Sequence, residues 1–279
     1  MYLQFPKTPE RLTPAEQRIL EFIEGNREEF LFMSIGQAAD RLEISEATIS
    51  RFARHMGCQD FKELKNVVIR QNHLEGPAGK LASTLLSEES FQALSYLQKQ
   101  QLCLQKTMER LDRQEFEKAL EAFLKARQVF IHAKSASASM GQLLFFRLRR
   151  LGVQVTLLPS GGSEVLEGLV QAGRDDLVVL FGFSKVSREG RAILDRQKEA
   201  GYCTLCFTGR LHVPEEDKAD INLYVCRGEE KEYHSMTAAA ALVDALVVAL
   251  SERLGARGAQ HLKDFFPIKR KIYHSKRSD

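Results

Sequence analysis

Over roughly the first seventy positions, apolar residues recur every three or four residues, the period of a helix with one buried face, and no strand-type alternation competes. Polar residues mark where the helices begin. Thr13-Pro14-Ala15-Glu16 sets a capping hydroxyl three residues before a glutamate that reaches back to it, with proline at the favoured first helical position. Ser34-Ile35-Gly36-Gln37 and Asp60-Phe61-Lys62-Glu63 repeat the arrangement, and Ser45 opens a further helix by capping alone. From Arg127 the pattern changes to the short runs QVFIHA, VQVTLL, DLVVLF, CTLCF and INLYV, with helices between the first four and a long one near Met236 to Leu254. Such alternation predicts a parallel sheet covered by helices on both faces. Ligands bind such sheets at the carboxyl ends of the strands, which singles out the loops Ala133 to Ser139, Pro159 to Ser163, Gly182 to Ser187 and Thr208 to Arg210.

Within the helical region, SIGQAADRLEISEATISRFARHMG reads as two short helices and a tight connection. With Ala39 as the small residue where they cross, Leu42, Ile44, Ile49 and Phe52 fall inside, as in a helix-turn-helix. Ser45, Glu46, Ala47, Ser50, Arg51 and Arg54 are then left on the outer face of the second helix, a face suited to a DNA major groove. The same spacing also fits a plain helical hairpin with its arginines in water. Charge bears on the choice only locally. Residues 1–75 hold ten Lys and Arg against twelve Asp and Glu, whereas Ser45 to Arg70 holds five against three, and phosphates are neutralised locally.

Between the two regions, QNHLEGPAGKLAST reads as a hinge or a broken helix. Phe91, Leu94, Leu97, Leu104, Met108 and Leu111 then form an apolar helical stripe, which needs either the following domain or a second copy of the chain to cover it. The closing IKRKIYHSKRSD, with Lys269, Arg270, Lys271, Lys276 and Arg277, reads as a mobile basic tail that could also touch DNA.

Composition narrows the classes. With 44% apolar and 28% charged residues, 279 positions give material for two domains, and the net charge of +3 permits nucleic-acid binding without demanding it. The longest apolar run, Ala238 to Leu250, is broken by Asp244 and falls short of the roughly 18 residues that span a bilayer. The N-terminus lacks a signal-type apolar segment, so a cytoplasmic protein is expected. Of Cys58, Cys103, Cys203, Cys206 and Cys226, only Cys203 and Cys206 make a CxxC, and three residues apart on a strand they point to opposite faces. Neither a metal site nor a cofactor is expected.

The run MSIGQAADRLEISEATISRFARHMGCQDFKELK closely resembles the N-terminal helix-turn-helix of the RpiR family of bacterial transcription regulators, including its Ser-x-x-Thr-Ile-x-Arg-Phe core and the Gly57 to Phe61 turn. DDLVVLFGFSKVSREG, KEAGYCTLCFTG and HSMTAAAALVDALVVAL resemble the sugar isomerase (SIS) domain that follows it in that family. The resemblance implies an all-α domain followed by a doubly wound, flavodoxin-like α/β domain of five parallel strands. Its divisions would be residues 1–75 for DNA, 76–111 as linker and connecting helix, 112–256 as the SIS domain and 257–279 as the tail. It further implies a homodimer, or a dimer of dimers, on an operator. A phosphosugar or related sugar acid would be held by the first and third strand-end loops and alter DNA affinity.

Both loops depart from the family. In place of Gly-x-Gly-x-Ser stand Ala133, Lys134, Ser135, Ala136 and Ser137, and in place of Ser-x-Ser-Gly-x-Thr stand Gly182, Phe183, Ser184, Lys185, Val186 and Ser187. Added β-carbons predict a tighter pocket or a differently folded loop. The hydroxyls of Ser135, Ser137, Ser184 and Ser187 and the charge of Lys185 remain as the expected ligand-binding set. Alternatively, those serines only cap helices and the domain only dimerises. A phosphosugar isomerase would need a base such as Glu229, Glu230, Glu232 or His234, a group that reads more simply as a solvated loop before Ser235, and no enzymatic activity is expected.

Overall fold

The computed structural model describes residues 3–72, 76–86 and 92–274. Two compact units are present: Met1–Lys99 together with Gly228–His234, and Gln100–Arg227 together with Ser235–Asp279.

The N-terminal unit is helical, with α1 (Pro14–Gly25), α2 (Arg27–Phe32), α3 (Ile35–Leu42), α4 (Glu46–His55), α5 (Phe61–Asn72) and α6 (Gly76–Leu85). Thr13 and Ser34 form complete capping boxes with Glu16 and Gln37. At α5 the expected box is displaced by one residue: Asp60 Oδ1 accepts the Glu63 N–H at 2.7 Å, but the Glu63 carboxylate reaches the Gln59 N–H, at 2.6 Å. Helix α2 has no counterpart in the capping signals, because its N-cap Asn26 makes no side-chain cap bond and the helix is only 6 residues long. Ile19, Ile23, Phe30, Leu31, Ala38, Ile49, Phe52 and Leu64 form the buried centre of this unit. Of the segment expected as a hinge or broken helix, Gln71 and Asn72 close α5 and Gly76 to Thr84 are helical within α6, while residues 73–75 lie outside the described residues.

Helix α7 (Ala93–Arg110) does not bury the stripe read from the sequence. Gln100, Cys103 and Thr107 are inside, Leu104 and Leu111 pack partly on the core, and Leu94, Leu97 and Met108 are exposed; Phe91 lies outside the described residues. The helix is thus turned by about one residue relative to its apolar stripe. Of the polar groups this buries, the Thr107 hydroxyl is satisfied along the helix by donating to the Cys103 carbonyl at 2.8 Å, whereas Gln100 Oε1 is buried without a hydrogen-bond partner among the described residues.

The second unit continues through α8 (Arg113–Lys125), β1 (Gln128–His132), α9 (Ala138–Arg150), β2 (Val155–Leu157), α10 (Glu164–Leu169), β3 (Asp176–Phe181), α11 (Arg188–Ala200), β4 (Cys203–Thr208), β5 (Ile221–Tyr224), α12 (Thr237–Leu254) and α13 (Ala256–His274). The five strands are parallel in the order β2-β1-β3-β4-β5. Alternate residues enter two cores. Val129, Ile131, Val179, Leu205 and Leu223 face one way with α8, α9 and α12, while Phe130, Val178, Leu180 and Cys206 face the other with Val165 and Ile193 of α10 and α11. Cys203 packs on the first core and Cys206 lies in the second, and burial pushes their thiols up to about 11 and about 12. The segment read as a basic tail is helical from Ala256 to His274; Lys276 and Arg277 lie outside the described residues. No described helix is long and apolar enough to cross a membrane.

Candidate functional site

The turn between α3 and α4 is built by the backbone. Glu43 takes a left-handed conformation with φ of 54°, its N–H returns to the carbonyls of Ala39 and Asp40, and the Ile44 N–H donates to the Ala39 carbonyl at 3.0 Å. Only a small residue at the crossing lets the chains approach this closely, and Ala39 is buried there with Leu42, Ile49 and Phe52, Ile44 partly so. Ser45 Oγ then accepts the Thr48 N–H at 3.2 Å to begin α4.

On the outer face of α4, Ser45, Glu46, Ala47, Arg51 and Arg54 are exposed and Ser50 is half-buried. Thr48, absent from the sequence-derived set, ties this face together: its hydroxyl lies 2.9 Å from Ser45 Oγ and accepts from Arg51 Nη2 at 3.3 Å. Glu46 turns back toward the start of α3, where a β-carbon on Gly36 would meet its Oε1 at 2.9 Å. A carboxylate beside a helix N-terminus is favourably placed. Behind the face, Arg18 donates to the Leu42 carbonyl at 2.6 Å and His55 Nδ1 lies 2.8 Å from Glu16 Oε1. Burial raises the Glu16 carboxyl, but the Thr13 N–H and His55 outweigh it and leave the group below the ordinary carboxylate value. Lys65, counted in the local positive excess, is buried instead. Its ammonium donates to the carbonyls of Leu31, at 3.0 Å, and Met33, sits 5.0 Å from the Phe61 ring centre, and is held down to about 8 by burial.

The second site lies where the strand order reverses, between the carboxyl ends of β1 and β3. A cavity of about 430 Å³ there is lined by Ser135, Ser137, Ser184, Lys185 and Ser187, all five residues singled out from the sequence, together with His132, Lys134, Arg188, Arg227 and Met236. The loop after β1 keeps a glycine-like shape without glycine. Ser135 occupies the left-handed region with φ of 56°, and Ala133 is accommodated because residue 141 is glycine, whose β-carbon would come within 2.9 Å of that of Ala133. The β-carbon of Ala133 is therefore accommodated, and Ser135 carries the left-handed backbone itself.

The serines are not equivalent. Ser187 caps α11, accepting the Gly190 N–H at 3.0 Å, while buried Ser137 donates to the Lys134 carbonyl at 2.8 Å. His132 Nδ1 must donate to the Pro159 carbonyl, at 3.2 Å, so Nε2 accepts the Ser187 hydroxyl at 3.3 Å. Burial lowers this imidazole below its ordinary value, which keeps it neutral near pH 7. Lys134 pairs with Glu189 Oε1 at 2.7 Å, and that bond, with Lys134's charge, holds the Glu189 carboxyl down to about 2. Arg227 lies with its guanidinium 4.3 Å from the Phe183 ring centre and donates to Ser184 Oγ at 3.1 Å. His132 and Arg227 were missed for different reasons: His132 immediately precedes the first loop but reads as the closing residue of β1, and Arg227 lies beyond the four strand-end loops, after β5. A histidine closing β1 and an arginine just after β5 were the only signals. Glu229, Glu230, Glu232 and His234 do not line this cavity; they belong to the N-terminal unit.

A helix-turn-helix followed by a doubly wound domain with a strand-end cavity defines a two-domain DNA-binding regulator. Residues 2–73 match the helix-turn-helix domain of the rpiR family and residues 122–249 match the SIS domain. The chain belongs to the RpiR family of helix-turn-helix transcriptional regulators. It is 27% identical over 221 residues to an uncharacterized HTH-type transcriptional regulator of Caldanaerobacter subterraneus subsp. tengcongensis, covering 78% of this chain and 77% of that one. The fold is shared with the sugar isomerase domain of an RpiR transcription factor from Sphaerobacter thermophilus (TM-score 0.59, 23% identity, 62% of this chain and 97% of that). It is also shared with the Vibrio vulnificus NanR protein complexed with ManNAc-6P (TM-score 0.59, 18% identity, 94% and 95%).

Proposed function

We propose that the protein is a cytoplasmic, non-enzymatic regulator that binds an operator through α4 and senses a phosphosugar or related anionic sugar metabolite in the β1/β3 cavity. The observation that carries the reading is the convergence there of Ser135, Ser137, Ser184, Lys185 and Ser187 with the cations of Lys134 and Arg227. The solved NanR relative, complexed with a sugar phosphate, supports it. Hydroxyls and cations at the carboxyl ends of parallel strands suit a phosphate ester. On the DNA side, Ser45, Ala47, Ser50, Arg51 and Arg54 face the groove, with Glu46 braced on α3. A two-fold dimer sets two such helices one turn of DNA apart, and exposed Leu94, Leu97 and Met108 support a role for α7 in forming it.

Thermal unfolding with a panel of hexose and N-acetylhexosamine 6-phosphates tests the sensor. A ligand at about 100 times its Kd should add about 2.7 kcal/mol, and no stabilisation across the panel would remove the sensing function. Arg51→Ala should weaken operator binding in gel shifts; unchanged affinity and sequence preference would refute the assignment of α4.

A further inference from the structure

The chain leaves and re-enters the α/β unit through its cavity. Arg227 is the last residue before Gly228–His234, and Met236 follows two residues after that segment; both line the cavity, while the seven residues Gly228–His234 belong to the N-terminal unit and Ser235 returns the chain to the α/β unit. This strap is fixed there by directed bonds. The Tyr233 N–H donates to Thr84 Oγ1 at 2.7 Å, the Lys80 ammonium lies 3.4 Å from the His234 ring nitrogens, and Lys99 lies 3.7 Å from Glu232. A turn from Glu229 to Glu232, closed by a 3.0 Å backbone bond, keeps the strap compact. Gly228 has φ of 102°, a conformation side chains rarely adopt, so the chain swivels immediately after Arg227.

Arg227 itself is only partly committed. Its guanidinium is oriented by the Phe183 face and by one bond to Ser184, and its buried Nε has no hydrogen-bond partner among the described residues. Guanidinium groups bind carboxylates and phosphates through two parallel N–H donors, and a buried N–H without a partner makes such an acceptor favourable. Lys134, by contrast, is already paired with Glu189.

Building on the reading of the cavity as an effector site, we infer that Arg227 is the anchor for the effector's anionic group and that the strap Gly228–His234 carries the state of that anchor to α6. The link is covalent: drawing the guanidinium toward an anion moves the main chain at residue 227, and the Tyr233 to Thr84 bond passes the displacement to α6. No change in the α3–α4 turn is required.

The test uses the full-length protein, the strongest binder from the sugar 6-phosphate panel, and a DNA fragment the protein itself selects from a random pool. Arg227→Ala should weaken the sugar phosphate at least tenfold by calorimetry, with Arg227→Lys only partly restoring it. Thr84→Val should leave sugar-phosphate affinity within about twofold yet abolish most of its effect on DNA affinity, and Thr84→Ser should restore that effect. Unfolding curves identify any variant that is merely destabilised, and the paired conservative variants then carry the test. If wild type binds the ligand and Arg227→Ala binds it equally well, the anchor is refuted while the sensor stands. If Thr84→Val responds on DNA like wild type, the relay is refuted. If no panel member binds wild type, the sensor reading fails and takes this inference with it.

Discussion

The loops after β1 and after β3 face each other across one cavity, and both end in a serine at a helix start, but each is held in shape differently. The β1 loop relies on compensation: Ala133 fits because Gly141 is bare, and Ser135 accepts a left-handed backbone. The β3 loop relies on a glycine placed where the family has serine, since a β-carbon on Gly182 would meet Val186 Cγ2 at 2.8 Å and Cys206 Sγ at 3.2 Å. Ser187 is a helix cap that also serves the cavity through His132, whereas Ser137 is pinned to a carbonyl. Loop shape can therefore survive loss of the glycine pattern while the chemistry moves to other side chains.

The sharpest way to break this contrast is Gly141→Ala. Two β-carbons would be forced to 2.9 Å, which should cost about 1–3 kcal/mol in denaturant unfolding. Ala133→Gly in the same chain should recover most of that loss, and failure to recover it would end the compensation argument. Next in size is the serine pair. Ser187→Ala should cost about 1 kcal/mol, and Ser187→Asp should regain much of it because an aspartate also caps. Ser137→Asp should not, because it sets a carboxylate against the Lys134 carbonyl; equal behaviour of the two aspartates would erase the distinction.

A smaller effect follows from His132, whose folded-state imidazole is lowered by burial below its ordinary value of 6.5. The unfolded chain then takes up the proton first as pH falls. The histidine's contribution is complete above about 6.5 and is lost as pH falls through the folded value, so the melting temperature should fall faster below that pH in wild type than in His132→Asn. The smallest expected change is Ser135→Gly. Relief of the left-handed backbone is largely offset by the added freedom of the unfolded chain, leaving a gain of about 0.5 kcal/mol or less; a clear loss would mean that the serine side chain holds the loop.

What the sequence makes legible follows contact range. Capping at Thr13, Ser34 and Ser45 and the alternation of DLVVLF are local, so helix starts, strands and strand-end loops can be read directly. All five cavity-lining residues named from sequence lie on those loops. Two further lining residues were hidden: His132, directly before the first loop, looks like an ordinary strand end, and Arg227 acquires meaning only beside Phe183 and Ser184. Lys65 was misread for a related reason. Its charge suggested a phosphate partner, but the carbonyls of Leu31 and Met33, more than thirty residues away in the chain, take it inside. On α7, periodicity located a helix but could not say which face the core would choose, and the core chose Cys103 and Thr107.

The seven-residue strap also bears on how such regulators can be taken apart and recombined. A chain ended at Lys99 would lack the Tyr233 N–H that Thr84 accepts and the Glu232 carboxylate facing Lys99, so a cut there removes part of the DNA-reading unit's own packing. Grafting a foreign sensor onto it would require carrying Gly228–His234 into the donor, or supplying those residues as a separate peptide. Shuffling of whole domains is constrained here by a short segment that lies in one half of the gene and is packed in the other half of the protein.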